Sequence, residues 1–234
     1  MISLFRKIRQ KLLHENKLGN YLKYGIGEII LVVIGILLAL QINNWNEANK
    51  NTKREEAFLF NLQQDLRSDS LHLKEIKETL RLAVVYKRVF ENQMKGLSTD
   101  PDSLNAHFLK QYNILLDFVP NSTTVDELSN NGLNLISNPS MRRQIVTLYN
   151  DYDELILKLR IGQEKGRLIV DYVSQKVINI NSPTADEIRD LLKDNFYVNQ
   201  THMNFLGTQL TAVNQAFQQC EETLLMIQKE LDHD

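Results

Sequence analysis

Five histidines, one cysteine and one acid inside an apolar run are the residues of this 234-residue chain best suited to chemistry. The histidines are His14, His72, His107, His202 and His233, and no two of them stand four apart. Asp69 and His72 are three apart, which puts two donors on one helix face. A zinc site needs three or four such donors, and the neighbouring sequence supplies no more. The pair therefore reads as solvated helix surface, and no metal is expected. Cys220 cannot form an internal disulfide alone, and a bridge between two chains is a minor alternative. On an apolar helical seam it acts as a small hydrophobe. Asp151, Asp153 and Glu154 cluster as solvated helix carboxylates, with no sign of pKa values driven apart. No G-x-S-x-G, P-loop or dinucleotide fingerprint occurs. No catalytic residue and no cofactor is expected, and an enzyme is disfavoured.

Glu28 is different, because it lies near the start of the run Tyr24 to Ile42. An acid at the centre of a bilayer costs about 2.5 kcal/mol or more, and less toward the interface. Two readings stay open. Glu28 either reaches the cytoplasmic boundary near Lys23, or contacts a polar group on another membrane helix. Gly27 and Gly35 would allow the second helix to come close.

The element that positions Glu28 is a membrane span. A hydrocarbon core needs roughly 20 helical residues. Ile29 to Leu40 carries no polar side chain, whereas a buried helix of a soluble domain is rarely apolar on every face. The run ends Leu38-Ala39-Leu40-Gln41-Ile42, without the small-x-small pattern of a cleavable signal. An uncleaved signal anchor is expected. Arg6, Lys7, Arg9, Lys11, Lys17 and Lys23 precede it against Glu15 alone. After it, Lys50, Lys53 and Arg54 are matched by Glu47, Glu55 and Glu56. The basic flank stays inside, leaving about 190 residues outside. Leu4, Phe5, Ile8, Leu12 and Leu13 repeat at helical spacing, which suits a helix on an anionic leaflet as well as an ordinary basic flank. Trp45 falls where aromatic side chains anchor at the interface. The net charge is −2, with +5 on the first 24 residues and so −7 on the rest. An acidic outer domain argues against nucleic acid as a partner.

Two stretches carry a resemblance. LFRKIRQKLLHENK followed by YLKYGIGEIILVVIGILLALQINNWNE, and more weakly TTVDELSNNGLNLISNPSMRRQIVTLYNDY, resemble an uncharacterised family of single-span membrane proteins from Bacteroidota. The matches cover residues 4–47 and 123–152. A Ser-Gly pair is common in that family where this chain has Asn131-Gly132. The resemblance implies a Gram-negative envelope protein. It supplies no activity and no catalytic residue.

Beyond the span the pattern is helical. Leu59, Leu62, Leu66, Leu73, Ile76, Leu80, Ala83, Phe90 and Met94 recur at 3–4 spacing, with Asp69 and Lys87 as breaks. No Gly or Pro lies between Trp45 and Gly96, so one rod is expected to continue outward by about 75 Å. A second helix starts at Asn138-Pro139, a cap followed by the position that tolerates proline. Its seam runs Ile145, Leu148, Tyr152, Leu155, Leu159, Ile169 and Val173. Gly162 and Gly166 fall on that seam. They cost roughly 1 kcal/mol each in a helix and point to another backbone passing close, or to a kink. The third helix places Met203, Leu206, Leu210, Val213, Phe217, Cys220, Leu224, Ile227 and Leu231 on one face. Short helices are expected over about 104–115, 125–130 and 185–193, the last opened by a Thr184–Glu187 capping box. The strand signal at 113–119 is too short to build a sheet. Two N-x-T matches, at Asn121 and Asn199, carry no meaning in a bacterial protein.

The expected fold is all-α: one N-terminal transmembrane helix, then an elongated bundle of three long helices with short connecting ones. Residues 1–20 form the cytoplasmic basic amphipathic segment, 21–45 the signal-anchor helix, and 46–234 the periplasmic bundle. The expected place is the bacterial inner membrane. The expected role is a non-enzymatic interaction or accessory subunit of an envelope complex. Its partners are the lipid bilayer and another membrane or envelope protein, or a second copy in a homo-oligomer. The alternative is a sensory ligand-binding module. With so short a cytoplasmic part it must signal through a partner.

Overall fold

A computed structural model describes residues 18–96, 108, 110–112, 116–125, 135–202 and 205–232. His14, His107, His233, Met203, the amphipathic segment over 1–15 and most of the short helices expected near 104–115 and 125–130 lie outside them. The described residues are all-α, with no strand among them. Their helices are α1 (Leu18–Met94), α2 (Pro139–Ser174), α3 (Ala185–Leu191), α4 (Asn195–His202) and α5 (Phe205–Leu231). The chain divides into two compact units, one ending at Arg54 and one beginning at Glu55.

In the first unit α1 carries the apolar run. Every large apolar side chain from Ile29 to Ile42 is between 46% and 72% exposed. Among the described residues this is the one helix long and apolar enough to cross a membrane. α1 ends just before a left-handed glycine. Gly96 has φ 70° and donates its N–H to the Gln93 carbonyl at 3.0 Å. A side chain there would strain the backbone, which makes glycine a usual helix stop.

The second unit is built on the three periodic patterns. On α1, Leu62, Leu66, Leu73 and Leu80 are fully buried. On α2, Leu148, Tyr152 and Leu155 are fully buried, and on α5 Val213, Cys220 and Ile227 are. Each buried leucine contributes about 1.5–3 kcal/mol relative to exposure. These residues form one apolar cluster with Phe118 and Ile136 from the connection. A second cluster joins Phe90 of α1 and Ile169 and Val173 of α2 to Ile188 and Leu191 of α3 and Tyr197 of α4.

The helix starts follow local chemistry. Asn138 Oδ1 accepts from the N–H groups of Ser140 (3.0 Å) and Met141 (3.3 Å), and Pro139 occupies the first turn of α2. Thr184 Oγ1 accepts from Glu187 N–H at 3.2 Å, while Glu187 Oε2 accepts from Thr184 N–H at 2.7 Å, closing the capping box of α3. α4 has no counterpart among the helices expected from the sequence. Asp194 caps it by accepting from Phe196 N–H at 2.9 Å and Tyr197 N–H at 3.1 Å. The face of α5 is also centred differently. Its buried residues are Gln209, Ala212, Val213, Ala216, Cys220, Thr223 and Ile227. The large Leu206, Leu210, Phe217, Leu224 and Leu231 only flank the core. Small side chains at the centre suit the close approach of α2 and α5, the helix pair with the most extensive backbone contact.

Candidate functional site

Three places are chemically distinctive, and each lies where a long apolar pattern is interrupted. The first is on the exposed part of α1. Glu28 and Gly27 are exposed within the apolar run. A Cβ added at Gly27 or Gly35 would meet nothing within 4 Å. Trp45 is 71% exposed just beyond the run. A helix surface of this kind suits lipid or another apolar helix better than water.

The second place is Asp69, which fills a seam position of α1 between Leu66 and Leu73. It is only 2% exposed, not the solvated position its type suggests. Its Oδ1 accepts from Asn121 N–H at 3.0 Å and from Asn121 Nδ2 at 2.9 Å. One turn earlier, Asp65 Oδ2 accepts from the Thr124 hydroxyl. Tyr149 of α2 donates to the Asn121 carbonyl at 3.4 Å. The two α1 carboxylates thus pin segment 116–125 to the bundle. Asp69 Oδ2 is buried with no hydrogen-bond partner. Burial pushes the Asp69 pKa up to about 6, the Asn121 bonds lower it, Asp65 raises it, and His72 lowers it. Close by, burial raises the Tyr152 phenol, and burial pushes the Cys220 thiol up to about 12. Cys220 Sγ lies 3.3 Å from the Leu66 carbonyl and is fully buried. A neutral thiol in such a place is inert.

The third place separates the two apolar clusters. Lys87 interrupts the α1 seam, and Gly162 and Gly166 interrupt that of α2. Together with Gln111, Tyr112, Gln200, Thr201 and Gln209 they line a cavity of about 50 Å³. Lys87 Nζ donates to the Thr201 carbonyl at 2.8 Å and lies 3.9 Å from a Glu91 carboxylate oxygen. Tyr112 and Tyr197 share a 2.7 Å hydroxyl contact. Burial pushes the Tyr197 phenol up to about 12, and burial holds the Tyr112 phenol well above its ordinary value. What crowds Gly162 is a side chain, not a backbone. A Cβ there would fall 1.9 Å from Gln209 Nε2, which lies 3.4 Å from the Leu159 carbonyl. Gly166 also lines the cavity.

The remaining singled-out residues scatter. The His72 ring packs 5.6 Å from Phe118. No group of three or more metal donors exists among the described residues. Asp151 accepts from Gln215 Nε2 at 2.9 Å, and Glu154 pairs with Lys158. The sequence patterns missed Gln111, Gln200 and Gln209, because glutamine carries no period of its own. The two breaks in the α1 heptad were the available signal.

A family model described as a family of unknown function (DUF6090) matches residues 28–209. That match runs from inside the apolar run to the first turns of α5. No curated protein and no solved structure matches the chain.

Proposed function

This chain belongs to the family of unknown function DUF6090, and we propose that it is a membrane-anchored, non-enzymatic interaction subunit of a bacterial envelope complex. One observation carries the reading. The apolar run of α1 is exposed along its whole length, in a chain whose other long helices bury their apolar faces. Exposure on that scale needs a lipid or protein surround. The six basic residues before the run against one acid favour an N-terminus on the cytoplasmic side and a bundle in the periplasm of a Bacteroidota cell. Glu28, with Gly27 and Gly35 beside it, is the point of contact proposed for a second membrane helix. The bundle contributes protein contacts outside the membrane.

Alkaline carbonate extraction combined with protease protection tests the anchor. The expected result is a carbonate-resistant protein. Its C-terminal tag should be cut once the outer membrane is permeabilised, and its N-terminal tag only after the inner membrane is opened. Release into carbonate, or the reverse order of cleavage, would overturn the reading.

A second reading, a ligand-sensing module, is favoured by one feature. The cavity between the two apolar clusters is lined by polar groups from α1, α2, α4 and α5.

A further inference from the structure

That cavity is costly to the fold. Gly162 and Gly166, about one turn apart on α2, each weaken the helix relative to alanine. Gln209 and Gln111 are 2% and 5% exposed. Gln200 Oε1 is buried with no hydrogen-bond partner. Apolar side chains would have closed the gap and joined the two clusters into one core. The charge of the lining is one-sided. Lys87 and Lys165 line it, and among the described residues no carboxylate does. Lys87 pairs at 3.9 Å with Glu91 of its own helix, which does not line the cavity. The Lys165 ammonium is 5.9 Å from the Phe205 ring centre, and an aromatic face attracts a cation without cancelling its charge. Ile169, Phe205 and Leu206 give the same cavity an apolar part.

We propose that the cavity of the second unit binds a short-chain carboxylate. Lys87 and the side-chain amides take the carboxylate, and the surface of Ile169, Phe205 and Leu206 takes the alkyl end. A half-turn of the Gln200 amide would present its NH2 group to the anion, since the two ends of the amide are interchangeable in shape. A volume of about 50 Å³ corresponds to roughly three to five waters, so the ligand has about four to six non-hydrogen atoms. Acetate, propionate and butyrate span that size. For so few atoms, Kd values on the order of micromolar to millimolar are expected, a range that a titration to about 20 mM covers. The inference stands apart from the membrane role proposed above, because it uses residues of the second unit only.

Purified full-length protein in detergent micelles provides the test. Its thermal unfolding would be followed while sodium acetate, propionate and butyrate are titrated to about 20 mM at constant ionic strength, against sodium chloride and propylammonium chloride. The expected result is a saturable rise in Tm with at least one carboxylate and none with propylammonium. Lys87→Met should raise the Kd about tenfold, or Lys165→Met should do so if Lys87→Met fails to fold. No saturable rise with any carboxylate would overturn the proposal. So would an equal rise with propylammonium, or an unchanged Kd in the folded lysine variant.

Discussion

Replacing Asp69 by asparagine should remove a defined part of the protein's pH dependence. Burial pushes the native carboxyl up to about 6, against 3.8 for the unperturbed group. The folded pKa is the higher one, so the native state holds the proton more tightly than the unfolded chain. Stability from this group is therefore greatest below pH 4, falls as pH rises toward 6, and is level above that. The rise from 3.8 to about 6 corresponds to about 3 kcal/mol in total, and about 2 kcal/mol of it develops between pH 4.5 and 7.5. The amide introduced by Asp69→Asn would keep an oxygen able to accept both Asn121 bonds, at 3.0 and 2.9 Å in the native protein, and would not ionise. The groups facing Asp69 are Asp65 and His72 on α1, Asn121 in the connection, Tyr152 on α2 and Cys220 on α5. All of them remain in the variant, so the difference between the two proteins isolates position 69. Thermal unfolding in detergent, read by circular dichroism, is the assay. The Tm of Asp69→Asn relative to wild type should climb by about 4–8 °C from pH 4.5 to pH 7.5 for a chain of this size. A difference that stays constant across that range would refute the argument that Asp69 is buried and ionises at a cost.

Other expectations are more local. Gly162→Ala should gain about 1 kcal/mol of helix stability in a Gln209→Ala background and be less favourable by at least about 1 kcal/mol in wild type, in a double-mutant denaturation cycle. Equal effects in both backgrounds would mean that Gln209 does not occupy the space beside Gly162. Cys220 should resist maleimide at neutral pH in the folded protein and react at once in denaturant, because its thiol is fully buried and its pKa is pushed up to about 12. Glu28→Gln should change the protein's complexes on native gels. An unchanged pattern would discard the intramembrane contact.

Much of this architecture could be read from periodicity. The long exposed apolar stretch of α1 is legible because Ile29 to Leu40 has no polar residue. The start of α2 was legible because Asn138 and Pro139 act through their own backbone neighbours. The same holds for Thr184 and Glu187 at α3. What escaped depends on partners distant in sequence. Asp69 looks like a solvated break in the α1 heptad, yet it is buried and bonded to Asn121, more than fifty residues later. Lys87 looked like a second break and lines the cavity with residues of α2, α4 and α5. The face of α5 was read from its largest apolar side chains. Its centre is held by Gln209, Ala212, Ala216 and Thr223, whose small size or hydrogen bonding suits a close helix. α4 carries little sequence signal because its cap, Asp194, comes three residues after the end of α3 and the segment is only eight residues long.

The claim that this is a membrane-anchored subunit is tested most directly by isolating the tagged protein from native membranes in mild detergent. The complex would be sized and its components identified by mass spectrometry. The expected result is one reproducible, stoichiometric envelope partner that is lost when the apolar run of α1 is replaced by an unrelated membrane helix. Recovery of the chain as a monomer, unchanged by that replacement, would contradict the claim.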